Sequence, residues 1–163
     1  MFKNDKKSVK KEFEKYKLKN GVRVVLVPDD KAVAVLAQVL VETGSAYENK
    51  GNNGISHFLE HMVFKGTKRR PSTKIIAEEV DGLGGQMNAF TGQEETGYWI
   101  KMPSGQGELV VDLVADIYLN PLLEQKEINR ERGVILQELA MYEDLPMRKV
   151  EEEFGELLMA TSQ

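Results

Sequence analysis

The sequence contains no cysteine and no long apolar run. Without cysteine, disulfide bonds and thiolate metal sites are excluded, and a reducing compartment is permitted. The longest apolar run, residues 32–41, is interrupted by Gln38 and falls short of the roughly 18 residues that a membrane-spanning helix needs. We therefore expect neither a disulfide scaffold nor a membrane partner.

The N-terminal segment has little that indicates export. It lacks the apolar core of a signal peptide, and Asp5, Glu12 and Glu14 do not suit an acid-poor transit peptide. We expect a cytoplasmic protein whose residues 1–15 form a basic, lysine-rich arm. No nucleic-acid partner is expected, because the basic run at residues 68–70 is too short to form a binding face.

The composition that remains is that of an ordinary globular domain. The chain has 163 residues, of which 41% are hydrophobic and 29% are charged. This length is sufficient to bury one hydrophobic core. We predict a single domain over residues 16–163.

Several short segments have the pattern of β-strands. Asn20-Gly21 lies between the alternating runs 16–19 and 22–27, which predicts a β-hairpin. Residues 32–43 predict a long strand that is apolar on both faces and therefore central in its sheet. A second pair of strands is predicted over residues 84–90 and 96–102.

Helical spacing dominates the rest of the chain. Helices are predicted over residues 55–64, 71–83, 103–119 and 124–143, with a further stretch after Pro146. The first of them is apolar almost all round, so it is expected to be buried. This order of elements predicts an α+β domain, in which helices pack on one face of a mostly antiparallel sheet.

Histidine is scarce, and both copies lie on the predicted helix 55–64. His57 and His61 are four residues apart, and Glu60 shares their sector of about 100° on the helix surface. Two such imidazoles can bind one metal ion, and the pattern H-x-x-E-H occurs among metallopeptidases. The alternative is two ordinary histidines in a buried helix. Burying three unpaired polar groups would cost several kcal/mol, which favours a metal site.

A third metal ligand must be a carboxylate, since no other histidine and no cysteine is present. The predicted helix 124–143 offers four candidates: Glu127, Glu131, Glu138 and Glu143. Glu131 and Glu138 are seven residues apart and share one face of the helix. The alternative for each is a solvated surface charge, so spacing alone leaves the choice open.

Two segments carry a family resemblance. HFLEHMVFKGT occupies residues 57–67, ERGVILQELAM occupies residues 131–141, and 76 residues separate His61 from Glu138. Both segments, and the gap between them, resemble the signatures of the pitrilysin-like metallopeptidases, the superfamily of insulysin and the mitochondrial processing peptidase. GGQMNAFT at residues 84–91 is similar to the substrate-side strand of that family.

The resemblance implies a role for five of these residues. His57, His61 and Glu138 would bind Zn²⁺, Glu60 would be the general base, and Glu131 would be a second acid near the metal. The implied activity is that of a zinc-dependent endopeptidase acting on peptides or unfolded protein segments.

The resemblance also implies partners. Asn88 and Ala89 would bind the peptide substrate by strand addition, although an ordinary inner strand is the alternative. Family subunits usually contain two similar domains in tandem, so we expect a companion domain or subunit, or a homo-oligomer. A non-catalytic metal-binding module of a larger peptidase assembly is the alternative to the enzyme, and the intact motif favours the enzyme.

Overall fold

A computed structural model describes residues 13–160. Most of the predicted basic arm, residues 1–15, therefore lies outside the described residues. The chain divides after Val33 into two compact units.

The first unit is an antiparallel hairpin of β1 (Glu14–Lys17) and β2 (Arg23–Leu26). The N–H of Leu18 donates to the carbonyl oxygen of Val22 at 2.8 Å and closes the turn. Gly21 has a φ of 91°, a backbone conformation that residues with a side chain rarely adopt. The hairpin predicted from Asn-Gly is confirmed.

Within residues 34–160, the second unit contains three strands and five α-helices. In chain order they are β3 (Ala34–Val41), α1 (Ile55–Met62), α2 (Thr73–Asp81), β4 (Gln86–Thr91), β5 (Thr96–Pro103), α3 (Gly107–Leu119), α4 (Gln125–Glu143) and α5 (Pro146–Ala160). A 3-10 turn, Val63–Lys65, continues α1. Each of the strands and helices predicted for this part of the chain is present. No helix within residues 13–160 combines the length and the apolar character needed to cross a bilayer.

The sheet of this unit has the strand order β3-β5-β4, and both pairings are antiparallel. The prediction that β3 is central is wrong, because β5 lies in the middle and β3 pairs, among the described strands, with β5 alone. The apolar residues of β3 do lie on both faces, but Leu36 and Leu40 are exposed. Apolar residues on both faces of β3 therefore do not mean that both faces are buried.

The helices α1, α2 and α3 lie against the face of the sheet opposite Leu36 and Leu40, whereas α4 packs on α1 and α5 on α4. Alternate sheet residues join the core, and helix residues complete it: Val35, Ala37, Val39, Met87, Ala89, Tyr98, Ile100 and Met102 from the sheet, and Ile76, Val80, Val110, Leu113, Val114 and Ile117 from α2 and α3. The predicted α+β arrangement, with helices on one face of an antiparallel sheet, is confirmed.

The helix α1 is buried on one side only. Ser56 and Met62 are buried, whereas Ile55 and Leu59 are exposed. The prediction of a helix buried all round is therefore wrong. Its apolar pattern reflects two surfaces, of which one packs on the sheet and α4 and the other is open among the described residues.

A set of ion pairs around the buried side chain of Arg70, here called the Arg70 network, fixes the loop after α1. The guanidinium of Arg70 contacts Asp116 at 2.7 Å, Glu79 at 2.6 Å and Asp112 at 3.0 Å. The Thr67 hydroxyl donates to Asp116 at 2.8 Å. Because these partners lie on α2 and α3, the network ties the end of α1 to the helical layer.

Candidate metal centre

Three side chains converge where α1 packs against α4. The Nε2 atoms of His57 and His61 are 3.2 Å apart. Oε2 of Glu138 lies 3.3 Å from Nε2 of His61 and 3.8 Å from Nε2 of His57. Among the described residues, these three form the group that could hold one metal ion. The structure thus brings together the two histidines predicted from spacing and the glutamate implied by the resemblance.

The donor set of this group fits a zinc ion. Two imidazole nitrogens and one carboxylate oxygen are the ligand types of catalytic zinc sites. Ligand atoms ~2.1 Å from a tetrahedral zinc ion stand ~3.4 Å from one another, close to the observed separations of 3.2, 3.3 and 3.8 Å. All three are atoms that carry lone pairs, so a cation between them would satisfy them together.

Glu131 lies behind this group and contacts His61 from the other side. Its side chain is 4% exposed, and its Oε2 lies 3.1 Å from Nδ1 of His61. Its Oε1 lies 2.6 Å from Nζ of Lys65. Burial works to raise the pKa of Glu131, but the hydrogen bonds from Lys65 and His61 outweigh it and hold the pKa below its usual value. The anionic carboxylate assigns the proton of His61 to Nδ1, which leaves the lone pair of Nε2 for a metal.

Glu60 occupies a separate place beside the group. It lies on α1, is half-buried, and does not belong to the set of residues that could share one ion. The Thr91 hydroxyl, at the end of β4, donates to its Oε2 at 2.5 Å. A carboxylate that stands next to a metal group without joining it is available for proton transfer.

Asn88 and Ala89 lie on β4, which is an edge strand of the described sheet. The N–H of Ala89 donates to the side-chain Oδ1 of its neighbour Asn88 at 2.9 Å. The same strand ends at Thr91, the residue that contacts Glu60. An open strand edge beside the group is compatible with strand addition by a peptide, and the substrate role of Asn88 and Ala89 stays a prediction.

Tyr142 contacts the third ligand candidate. Its hydroxyl donates to Oε1 of Glu138, so the other oxygen, Oε2, faces the two histidines. The guanidinium of Arg148 stacks over the Tyr142 ring, 3.6 Å from its centroid. The start of α5 thereby supports the carboxylate of Glu138.

Glu48 holds the start of α1. Its carboxylate accepts the N–H of Gly54 at 2.6 Å and the N–H of Ser56 at 2.8 Å. Burial works to raise its pKa, but these bonds outweigh burial and lower the pKa of Glu48. A carboxylate at a helix N-terminus also interacts favourably with the helix dipole. The turn that carries His57 is thus anchored from the preceding loop.

Sequence reasoning missed four of these supporting residues. Lys65 and Tyr142 each stand four positions after a ligand candidate on the same helical segment, so helical spacing could have found them. No local pattern marks Thr91 or Glu48, because their contacts depend on how a strand and a loop approach α1.

The chain is similar to several known proteins. A family model described as insulinase (peptidase family M16) matches residues 23–162. An uncharacterized zinc protease of Rickettsia bellii is 42% identical over 146 residues, which are 90% of this chain and 35% of that protein. A mitochondrial-processing peptidase subunit beta of Bos taurus is 45% identical over 123 residues, which are 75% of this chain and 24% of that protein.

A solved structure shows the same fold. The crystal structure of a protease from Helicobacter pylori matches with a TM-score of 0.75 and 34% identity, over 81% of this chain and 32% of that one. The chain therefore spans between 24% and 35% of the length of these similar proteins.

Proposed function

The chain belongs to the insulinase family, peptidase family M16, and we propose that it is the zinc-binding part of a metalloendopeptidase. The observation that carries the proposal is the convergence of His57, His61 and Glu138 on one point between α1 and α4. Similar proteins that are named zinc proteases, such as that of Rickettsia bellii, support zinc as the metal. The proposed substrates are peptides or unfolded protein segments.

The ligand atoms for Zn²⁺ would be Nε2 of His57, Nε2 of His61 and Oε2 of Glu138. When bound, the ion supplies Lewis acidity and lowers the pKa of a water molecule toward ~7. Glu131 keeps the His61 ring oriented through its contact with Nδ1. Tyr142 keeps Oε2 of Glu138 directed at the histidines.

Glu60 would be the general base of the reaction. Its Oε2 is held by the Thr91 hydroxyl, which leaves Oε1 to take a proton from the attacking water. The same carboxyl group would then return that proton to the departing amine, so the peptide bond is cleaved without net consumption of acid or base. A half-buried carboxylate fixed by one hydrogen bond suits a proton carrier that must keep its position.

The open edge of β4 is the proposed place for the peptide. An extended substrate pairing there would run past Asn88 and Ala89 toward Thr91 and Glu60. The Asn88 side chain now accepts the N–H of Ala89, so it would turn away as a substrate carbonyl takes that donor. This exchange replaces one hydrogen bond by another.

A companion domain or subunit, or a second copy of the chain, is the proposed protein partner. α4 and α5 expose a series of apolar side chains: Val134, Leu136, Leu139, Met141, Met147, Val150 and Phe154. An exposed apolar surface of this kind favours association. One similar protein is named a subunit of a peptidase, and the chain spans only part of its length.

The replacement Glu60→Gln tests the proposed activity. In the protein together with its companion domain or subunit, Glu60→Gln keeps the shape of the side chain and removes the base. We expect one zinc per chain and a loss of peptide hydrolysis by about 100-fold or more, measured on an unfolded peptide library with and without chelator.

The matched control is Glu78→Gln, an exposed glutamate on α2, which should leave cleavage unchanged. Loss of zinc from Glu60→Gln would make Glu60 a ligand and contradict its proposed role. A wild-type assembly that binds zinc but shows no chelator-sensitive cleavage would favour a non-catalytic module instead.

A further inference from the structure

We propose that Lys65 is a positioning residue of the metal centre. It acts through Glu131, which it fixes so that the ring of His61 presents Nε2 to His57 and Glu138. The inference rests on the zinc site proposed above, and it concerns how that site is held in its binding geometry.

The first step of the argument is the burial of Glu131. Its side chain is 4% exposed, and each of its two oxygens has one partner, Lys65 at 2.6 Å and His61 at 3.1 Å. A buried carboxylate is strongly disfavoured unless it is paired and hydrogen-bonded. The ammonium of Lys65 supplies the positive charge that compensates the carboxylate of Glu131.

The second step is the direction that this contact imposes. A lysine ammonium has donors and no acceptor, so the oxygen that faces it must accept. With Oε1 fixed on Lys65, the plane of the Glu131 carboxylate is set and Oε2 is directed at Nδ1 of His61. Without Lys65, the carboxylate is free to rotate toward solvent or toward the ligand side of the histidine.

The third step is the rigidity of Lys65 itself. It ends the 3-10 turn Val63–Lys65, four residues after His61, so both side chains leave the same side of the helical segment. Gly66 follows with a φ of 136°, and an added Cβ there would lie 2.9 Å from the backbone of Pro71. Together with the Arg70 network, this packing fixes the backbone from which Lys65 reaches Glu131.

Hydrogen bonds that support a metal-bound histidine have a known effect on metal affinity. A carboxylate that accepts a hydrogen bond from the other ring nitrogen of a metal-bound histidine fixes the orientation of the ring. Loss of that support typically lowers metal affinity by about 10- to 100-fold. Lys65 should share this effect, because the orientation of Glu131 depends on it.

The test is the zinc dissociation constant of the folded protein, measured by competition with a chromophoric chelator. We expect Lys65→Met to weaken zinc binding about 10- to 100-fold and Lys65→Arg to restore it to within about threefold. Lys74→Met is the matched control, because Lys74 is exposed and its ion pair among residues 13–160 is with Glu78 on the surface of α2. It should leave the affinity unchanged.

A double variant keeps the test decisive if Lys65→Met alone fails to fold. Lys65→Met combined with Glu131→Gln removes both charges, so no unpaired charge stays buried. If Lys65 acts through Glu131, this double variant binds zinc as Glu131→Gln does. A further loss of about tenfold in the double variant would show that Lys65 acts by another route and would overturn the proposal.

The two proposals fail in different ways. A wild-type protein that takes up no zinc contradicts the proposed metal site. One zinc per wild-type chain, with an unchanged dissociation constant in folded Lys65→Met, contradicts the role of Lys65 alone. Thermal midpoints of the metal-free proteins serve as the second readout, since a purely structural lysine would lower the midpoint without changing the affinity of the folded state.

Discussion

Two clusters of polar side chains lie within the helical layer, and they differ in how their charges are satisfied. In the Arg70 network, the carboxylates of Asp116, Glu79 and Asp112 face guanidinium nitrogens or a hydroxyl at 2.6–3.0 Å, so each carboxylate meets a donor. In the metal cluster, formed by His57, His61 and Glu138, three lone-pair atoms face one another instead. Burial and charge are common to both. The convergence of acceptors without a cation is what indicates a metal site.

Removing the cation of the Arg70 network should have the largest effect. Arg70→Leu removes the nearer guanidinium from the buried carboxylate of Asp116 and leaves that of Arg69 at 3.5 Å, so we expect a loss of about 3 kcal/mol in the free energy of unfolding, measured with urea. Arg69→Leu is the comparison: Arg69 contacts Asp112 and Asp116 as well, but its side chain is 55% exposed, so its loss should be much smaller. Equal losses in the two variants would contradict the account.

Acid should reduce the advantage of the wild type over Arg70→Leu. The hydrogen bond from Arg70 lowers the pKa of Glu79, and bonds from Thr67 and Arg70 lower the pKa of Asp116 against the opposing effect of burial. Lowered pKa values stabilise the folded state above the ordinary carboxyl pKa of about 4, and this stability is lost as the pH falls through the folded-state values. Urea unfolding at pH 7 and pH 3 should show the difference shrinking. A difference that grows in acid would contradict the assignment.

The two clusters also differ in how many of their residues could be predicted from the sequence. The spacing of His57 and His61 identifies two of the three members of the metal cluster, because helical geometry places residues four apart on one side. Glu138 needed the family resemblance, since four glutamates share α4 and spacing does not say which of them faces α1. The ion pair of Arg70 with Asp116 joins residues 46 positions apart, and no local pattern contains it.

The strand order of the sheet, like the ion pair of Arg70 with Asp116, could not be predicted from local sequence patterns. The strands themselves were predictable from alternation and turn residues, but the order β3-β5-β4 was not. Which strand takes the centre depends on how chain segments far apart in sequence pair. The exposed Leu36 and Leu40 made β3 resemble a covered strand.

The second largest effect on stability is expected from the binding of zinc to the metal cluster. Free zinc at about 100 times its dissociation constant should stabilise the fold by about 2.7 kcal/mol, which raises the thermal midpoint by roughly 5–10 °C. Chelator should reverse the shift, and Glu60→Gln should keep it. If His57→Ala showed the same zinc-dependent rise, the ion would be bound elsewhere.

A smaller effect is expected from the support of Glu138. Tyr142→Phe removes the hydroxyl that donates to Oε1 and keeps the ring that stacks on Arg148. Losing this bond should weaken zinc binding by about 1 kcal/mol, roughly fivefold in the dissociation constant. Tyr47→Phe, at an exposed tyrosine in the loop before α1, is the control. An unchanged affinity in Tyr142→Phe would show that Glu138 holds its position alone.

The zinc content of the purified chain tests the central claim most directly. Elemental analysis should give one zinc per chain for the wild type and for a Glu124→Ala control. It should give none for the double variant His57→Ala, His61→Ala, because two of the three ligand atoms are then absent. Full zinc occupancy in that double variant would contradict the assignment of the metal cluster, and with it the proposed function.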